Sequence, residues 1–148
     1  MSIEVEKINY EQVSQILSSE ESHFLDLKSI DIKPAKLTRS ISAFANASGG
    51  QVYIGIDETE IDGKNQRTWR GFADQEDANA HLQVFQELFP LGQYYSYTFL
   101  CCDSCIGLVL QVEINKNIKA AFNRLREQGL IELVPGTKTV TSAWHKVR

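Results

Sequence analysis

The stretch AFANASGGQVYIGID, residues 43–57, holds the clearest strand of the sequence and the turn that leads into it. Residues 51–56 are mainly β-branched, aromatic or small, which is typical of a buried strand. A helical pattern of apolar residues precedes it over residues 35–47. Gly49 and Gly50 end that helix, because glycine adopts the left-handed conformation found at helix C-termini. The stretch therefore predicts a helix that turns through two glycines into a buried strand.

Working outward from this strand, apolar spacing predicts further helices and strands on both sides. The predicted helices cover residues 10–17, 78–89 and 118–128, and the predicted strands cover residues 24–30, 94–101, 106–114 and 130–134. The last two strands before residue 115 form a predicted hairpin. The polar residues 57–66, which include Gly63, are predicted to form a loop.

Length and composition exclude several classes of protein. With 148 residues, 43% of them apolar and 23% charged, the chain is expected to form one soluble domain. No apolar run is long enough for a transmembrane helix, and the N-terminus lacks the pattern of a signal peptide. The three cysteines are Cys101, Cys102 and Cys105, an odd number that argues against a disulfide framework. We therefore expect a cytoplasmic protein without a membrane partner.

The charge of the chain is unevenly distributed. Residues 1–113 carry 8 Lys and Arg against 17 Asp and Glu, whereas residues 114–148 carry 7 against 2. A basic end on an acidic body indicates contact with a polyanion near the C-terminus, although such charges also serve only to solvate a helix. The change in charge predicts a boundary between a domain at 1–115 and a basic extension at 116–148.

Acidic residues near two predicted strands are candidates for a metal site. Glu21 and Asp26 flank the start of the first strand, Lys28 follows Asp26, and Asp57 and Glu58 come directly after the clearest strand. If the two strands are neighbours, the carboxylates converge, and hard cations such as Mg²⁺ prefer such oxygen ligands. The alternative is that these are solvated charges at strand ends.

Basic residues are concentrated just after the first strand. Lys28, Lys33, Lys36 and Arg39 lie within twelve positions, and Lys36 and Arg39 are spaced to share one helix face. Together they are candidates for contacts with phosphate groups, which give salt-sensitive binding without sequence preference. The alternative is a solvated helix face.

The C-terminal region resembles the end of a winged helix, with a helix, a strand, a Pro-Gly turn and a second strand. Arg124 and Arg126 on the helix are candidates for contacts with phosphates or bases, and Lys138 in the turn for the minor groove. Too few residues follow Ile114 for a whole winged helix. Either the motif is incomplete, or the hairpin only extends the main sheet.

Two other chemistries have weaker support in the sequence. Cys102 and Cys105 have a spacing that suits zinc, but Cys101, Cys102 and Cys105 need a fourth ligand, for which only three histidines are available. The alternative is a hairpin with small thiols beside its turn. No G-x-x-x-x-G-K-[ST] motif is present, so classical nucleotide hydrolysis has no support.

Three segments together resemble the Schlafen-type Alba-like domain family. Residues 21–28 (ESHFLDLK), 42–50 (SAFANASGG) and 53–58 (YIGIDE) match the order and spacing of its motifs, and the resemblance covers about residues 20–115. It implies a single α+β domain, with a mixed sheet flanked by helices, that binds RNA or DNA. Some members cleave transfer and ribosomal RNA with three carboxylates and a divalent metal.

Carried over by position, that trio falls on Glu21, Asp26 and Glu58, with Asp57 beside it. Asp26 replaces the commoner Glu, which shortens its reach by one methylene. The family core has two lobes, so a chain with length for one implies a homodimer. Family members also carry a structural zinc with an adjacent cysteine pair, which resembles Cys101-Cys102.

Two hypotheses follow for the function. In the first, the chain is an endoribonuclease in which Glu21, Asp26, Asp57 and Glu58 hold Mg²⁺ or Mn²⁺ and Lys28 stabilises charge on the phosphate. In the second, the domain is a non-catalytic DNA-binding or transcription-regulator module that grips the backbone through its basic residues. Dependence on a divalent metal distinguishes the two.

Overall fold

The computed structural model describes residues 3–22, 24–37, 39, 49–86, 94–129, 131–133 and 144–146. The described helices are α1 (Tyr10–Ser18), α2 (Asn79–Gln86) and α3 (Ile118–Glu127). The strands are β1 (Glu4–Lys7), β2 (Leu25–Lys28), β3 (Gly50–Ile54), β4 (Ile56–Ile61), β5 (Lys64–Trp69), β6 (Tyr95–Cys101), β7 (Val109–Ile114), β8 (Ile131–Leu133) and β9 (Trp144–Lys146). Short 3₁₀ turns lie at Pro34–Lys36 and Glu76–Ala78.

A five-stranded mixed sheet in the order β1-β6-β7-β3-β2 forms the centre of the fold. β1 is parallel to β6 and β2 is parallel to β3, whereas β7 runs antiparallel to both β6 and β3. The hairpin predicted before residue 115 is confirmed as β6 and β7. The predicted α+β class, with a mixed sheet flanked by helices, is confirmed as well.

Each face of this sheet is covered by its own apolar cluster. Cluster one includes Leu37, Val52, Ile54, Phe85, Leu110 and Ile118. Cluster two includes Val13, Leu27, Tyr53, Ile56, Trp69 and Val109. Alternate strand residues enter opposite clusters, as the period of a strand requires. Helices α2 and α3 therefore pack on one face, and α1 with the β4–β5 hairpin packs on the other.

The first helix begins at a capping box. The side chain of Asn9 accepts a hydrogen bond from the Gln12 backbone N–H at 2.8 Å, and Gln12 Oε1 accepts one from the Asn9 N–H at 3.0 Å. These two bonds satisfy N–H groups that the first turn leaves without helical partners. Val13, which is 1% exposed, then anchors the helix in cluster two.

The loop predicted over residues 57–66 is wrong, because these residues form most of the β4–β5 hairpin. The two strands pair in register from Ile56 opposite Trp69 to Ile61 opposite Lys64. Asp62 and Gly63 have φ angles of 51° and 76°, as a type I′ turn requires. Most of the hairpin is exposed on both sides, so no alternation of apolar and polar residues marks it as strand.

At the C-terminus, β8 and β9 form an antiparallel two-stranded sheet separate from the main one. The alternative in which this hairpin extends the main sheet is therefore wrong for the described strands. Residues 134–143, which include Lys138, lie outside the described residues, as does most of the helix predicted over 35–47. The boundary proposed between residues 115 and 116 stays a prediction. No helix in the described ranges is long and apolar enough to span a membrane.

Candidate nucleic-acid interface

Asp26 and Lys28 lie on β2, the edge strand beside β3. Their register partners on β3 are Val52 and Ile54, which belong to cluster one, so both side chains project on that face at the edge of the sheet. Lys28 Nζ is 3.2 Å from Asp26 Oδ1, and the two side chains are 33% and 16% exposed. The lysine predicted to stabilise phosphate charge is thus paired with one of the predicted metal ligands.

Asp57 lies on β4 and is held by a hydroxyl and a guanidinium. The Ser29 hydroxyl donates a hydrogen bond to Asp57 Oδ1 at 2.6 Å. Arg70 Nη1 lies 3.5 Å from Asp57 Oδ2 and 2.5 Å from Asp31 Oδ2. The hydrogen bond from Arg70 to Asp31, with the nearby carboxylate charges, raises the pKa of Arg70 above its usual value. This guanidinium therefore links the segment after β2 to the β4–β5 hairpin.

Glu58, the next residue on β4, pairs with a different cation. Arg67 lies opposite Glu58 in the hairpin, and its Nε is 3.7 Å from Glu58 Oε2. Arg67 Nη1 also donates to the backbone carbonyls of Leu17 and Ser19 at the C-terminus of α1. Carbonyl groups at a helix C-terminus attract cations, so Arg67 joins the hairpin to α1. Sequence reasoning missed Arg67, Arg70 and Ser29, because each contacts a carboxylate that is distant in the chain or lies across a hairpin.

The acidic group is defined as Glu21, Asp26, Asp57 and Glu58, and three of its members, Asp26, Asp57 and Glu58, lie in separate ion pairs. Its strands β2 and β4 are in contact, and Glu21 is exposed in the segment after α1. Carboxylate oxygens are the right donors for Mg²⁺ or Mn²⁺. Within the described ranges, however, no three His, Cys, Asp or Glu residues are grouped so that they would hold a metal ion. The metal assignment stays a prediction.

The basic segment, defined as Lys33, Lys36 and Arg39, is fully on the surface. All three residues are exposed, and none takes part in an ion pair with another described residue. Residues 32–56 contain no Asp or Glu, and Asp31, two residues before Lys33, is paired with Arg70. Lys7, Lys28, Arg67 and Arg70, in contrast, all contact carboxylates.

Two buried contacts anchor the basic segment to the domain. Leu37 follows the 3₁₀ turn at Pro34–Lys36 and is 0% exposed within cluster one. His81 Nε2 on α2 lies 3.0 Å from the Ile32 carbonyl oxygen, so the proton on Nε2 is donated to that carbonyl. The His81 ring also packs edge-on against Phe72. The exposed cations on either side of Pro34 are therefore carried on a backbone with a defined position.

The basic residues of α3 lie on the same face of the sheet as the basic segment. Ile118 and Ala121 bury one side of α3 in cluster one, which also contains Leu37. Arg124 is exposed and donates a hydrogen bond to the Tyr94 hydroxyl at 3.1 Å. The side chain of Arg126 and the whole of Lys138 lie outside the described part of the chain. Of the three cations predicted near the C-terminus, the structure thus places Arg124.

The cysteines lie at the end of the β6–β7 hairpin, and all three are free thiols. Cys102 is buried, while Cys101 and Cys105 are half-buried. His81 is committed to the Ile32 carbonyl, and the other two histidine side chains, at 23 and 145, are not described. No zinc-ligand group is found in the described ranges, and zinc at Cys101, Cys102 and Cys105 stays untested.

A central mixed sheet with helices on both faces and an exposed basic segment beside one edge strand defines a single α+β domain. The chain belongs to the Schlafen AlbA_2 family, because the family model described as "Schlafen, AlbA_2" matches residues 21–131, well over half of its length. The resemblance of the three sequence segments is thereby confirmed, and the family places the chain among nucleic-acid-related domains. No curated protein matches the chain.

Proposed function

We propose that this domain binds the phosphate backbone of RNA or DNA through the basic segment at residues 33–39, with α3 extending the contact. The observation that carries the proposal is the exposure of Lys33, Lys36 and Arg39 without a carboxylate partner among the described residues. Lysine and arginine that neutralise phosphates release condensed counterions, which supplies most of the affinity in binding without sequence preference.

The charge distribution supports contact on one side of the molecule rather than coating by its whole surface. Residues 1–113 carry 17 acidic residues, which repel a polyanion from most of the body. The basic segment and α3 are both anchored in cluster one and so lie on one face of the sheet. Lys33 and Lys36, and the exposed Lys119 and Arg124 of α3, are the cations that this face offers to the backbone of a nucleic acid.

Fluorescence anisotropy with a labelled RNA hairpin and a labelled DNA duplex, over a salt series, tests the proposal. We expect the logarithm of the association constant to fall linearly with the logarithm of the salt concentration, with a slope of about −3 or steeper. The reason is that at least three cations each displace about one counterion. Absence of binding at low salt, or an affinity independent of salt, would contradict the proposal.

Metal-dependent cleavage of RNA is the second candidate function. It is favoured by the contact between two strands that carry candidate ligands. Asp26 lies on β2, and Asp57 and Glu58 lie on β4. Lys28, paired with Asp26 at 3.2 Å, is a cation that a scissile phosphate would approach. A bound divalent metal would supply an activated water and neutralise charge on the phosphate.

Incubation of total transfer RNA with the protein, with Mn²⁺, Mg²⁺ or a chelator, tests this second candidate. As a nuclease, the protein is expected to give discrete products that require metal and disappear in Asp26→Asn and Glu58→Gln. Glu60→Gln is the matched control, because Glu60 is an exposed acid on the same strand as Glu58. Intact RNA in every lane, with salt-sensitive binding retained, would leave a module that only binds. A homodimer and a cytoplasmic location remain predictions.

A further inference from the structure

The turn between β6 and β7 holds two cysteine residues at its two ends. The backbone N–H of Cys105 donates a hydrogen bond to the Cys102 carbonyl at 3.1 Å, which closes a four-residue turn. The end residues of such a turn have Cα atoms within about 7 Å of each other, and a disulfide needs a Cα separation of about 4.4–6.8 Å. We propose that Cys102 and Cys105 are a redox-active dithiol that forms a reversible intrachain disulfide by exchange with a small aliphatic disulfide.

The surroundings of Cys102 favour its thiolate. Cys102 Sγ lies 3.2 Å from the Ser104 hydroxyl oxygen. Hydrogen bonds from the Ser104 side chain and backbone lower the pKa of Cys102, and the thiol of Cys105 also contributes a hydrogen bond. Burial raises the pKa of Cys105, with the charge of Cys102 adding to the effect. The Ser104 hydroxyl beside its sulfur makes Cys102 the attacking group, and Cys105, at the other end of the same turn, is the resolving group.

The exchange balances in two steps. The Cys102 thiolate attacks one sulfur of the small disulfide, forms a mixed disulfide, and releases one small thiolate. Cys105 then gives its proton to water, and its thiolate attacks Cys102 Sγ and releases the second small thiolate. The protein dithiol is oxidised by two electrons, and the small disulfide is reduced to two thiols.

Cys101 is excluded from this pair by its position in the sheet. It is the last residue of β6, where its carbonyl accepts a hydrogen bond from the Ile8 N–H at 2.8 Å. Cys102, the next residue, belongs to cluster two, and Cys105 packs against the same cluster. Lys7 Nζ on β1 lies 2.7 Å from Asp103 Oδ2, so this ion pair links the turn to β1. Cys101 is therefore a neighbouring thiol that serves as an internal control.

The experiment uses the full chain, reduced, freed of reductant and incubated with glutathione disulfide and glutathione at a series of ratios. Quenching with an alkylating agent, intact-mass measurement and peptide mapping then count the thiols and locate the cross-link. The wild type and Cys101→Ser are expected to lose two thiols in a Cys102–Cys105 disulfide that excess glutathione reverses. Cys105→Ser is expected to stop at a glutathione adduct on Cys102.

The controls keep folding and reactivity separate. Circular dichroism of each variant confirms that it is folded before its thiols are counted, and the half-buried Cys105 is the safer of the two positions to replace. The proposal is overturned if the wild type keeps three free thiols over the whole series. It is overturned equally if the cross-link includes Cys101 or joins two chains, or if the thiols react only after a chelator is added.

Discussion

Replacing Gly107 with alanine is expected to destabilise the domain by about 3 kcal/mol or more, enough to unfold a marginally stable protein. Gly107 has a φ of 94°, and a Cβ at this position would lie 2.4 Å from the Arg70 carbonyl oxygen and 3.0 Å from Gly71 Cα. These are backbone atoms, so they move only if the chain itself shifts. The left-handed conformation adds a further cost of about 1 kcal/mol for a residue with a Cβ.

Gly63→Ala is the matched control for this prediction. Gly63 has a similarly positive φ of 76°, but a Cβ there would meet no atom within 4 Å. Only the conformational cost of about 1 kcal/mol is expected. Urea unfolding of both variants and the wild type measures the difference, which isolates the steric part. Equal destabilisation of the two variants would show that the backbone of Gly107 does not approach that of Arg70 and Gly71 so closely.

The effect of Gly107→Ala is expected to extend to the acidic group. The close approach lies where the chain leaving β5 meets the residues before β7. There Phe72 and Leu108 exchange two backbone hydrogen bonds, at 2.6 Å and 2.8 Å, and the Trp69 indole N–H donates to the Gly107 carbonyl at 3.2 Å. These contacts hold the β4–β5 hairpin, which carries Asp57 and Glu58, against the main sheet. A shift of Gly107 therefore moves the candidate ligands as well.

The strands of the main sheet were largely predictable, because burial imposes a pattern on the sequence. Within β3, Val52, Tyr53 and Ile54 are buried on alternate faces and form a short apolar run, while β6 and β7 enclose a short polar turn. β1 was missed. Its four residues are exposed, and its pairing with β6 joins segments far apart in the chain. Tertiary pairing rather than local preference makes such an edge strand.

The β4–β5 hairpin was missed for a different reason. A local signal was present, since Asp62-Gly63 is a preferred pair for a type I′ turn. The flanking residues are polar on both sides of the ribbon, and this composition favoured a loop. The ribbon is stabilised by Ile56 and Trp69 at its base, both buried in cluster two. A turn dipeptide with strand length on either side was therefore a better guide here than hydropathy.

For the candidate site, sequence predicted which residues are charged but not which charges meet. Lys33, Lys36 and Arg39 are exposed, and residues 32–56 around them contain no Asp or Glu, but their role in binding stays a prediction. The contacts of Arg67 with α1 and of Arg70 with Asp31 depend on how the hairpin folds back over the sheet. No spacing rule in a single sequence encodes that arrangement.

Reversing the charge of the basic segment is expected to have the largest effect on binding. The triple variant Lys33→Glu/Lys36→Glu/Arg39→Glu should lower the affinity for an RNA hairpin by about 1000-fold near 0.1 M salt. Loss of three phosphate contacts accounts for most of this, and repulsion from three new carboxylates adds to it. The salt slope should also become less steep by about 3. Stability should change little, since all three side chains are exposed and outside the described ion pairs.

Lys64→Glu separates a local contact from a general effect of net charge. Lys64 is an exposed lysine at the start of β5, on the hairpin that packs over cluster two and not cluster one. If long-range attraction to the whole protein dominated, each lysine reversal would weaken binding by a similar factor. If the phosphates lie against the basic segment, Lys64→Glu should change the affinity by less than about threefold. At this salt concentration, the attraction between exposed charges is largely screened beyond about 10 Å. Comparable losses in Lys36→Glu and Lys64→Glu would refute the assignment of the interface, even if the triple variant failed to bind.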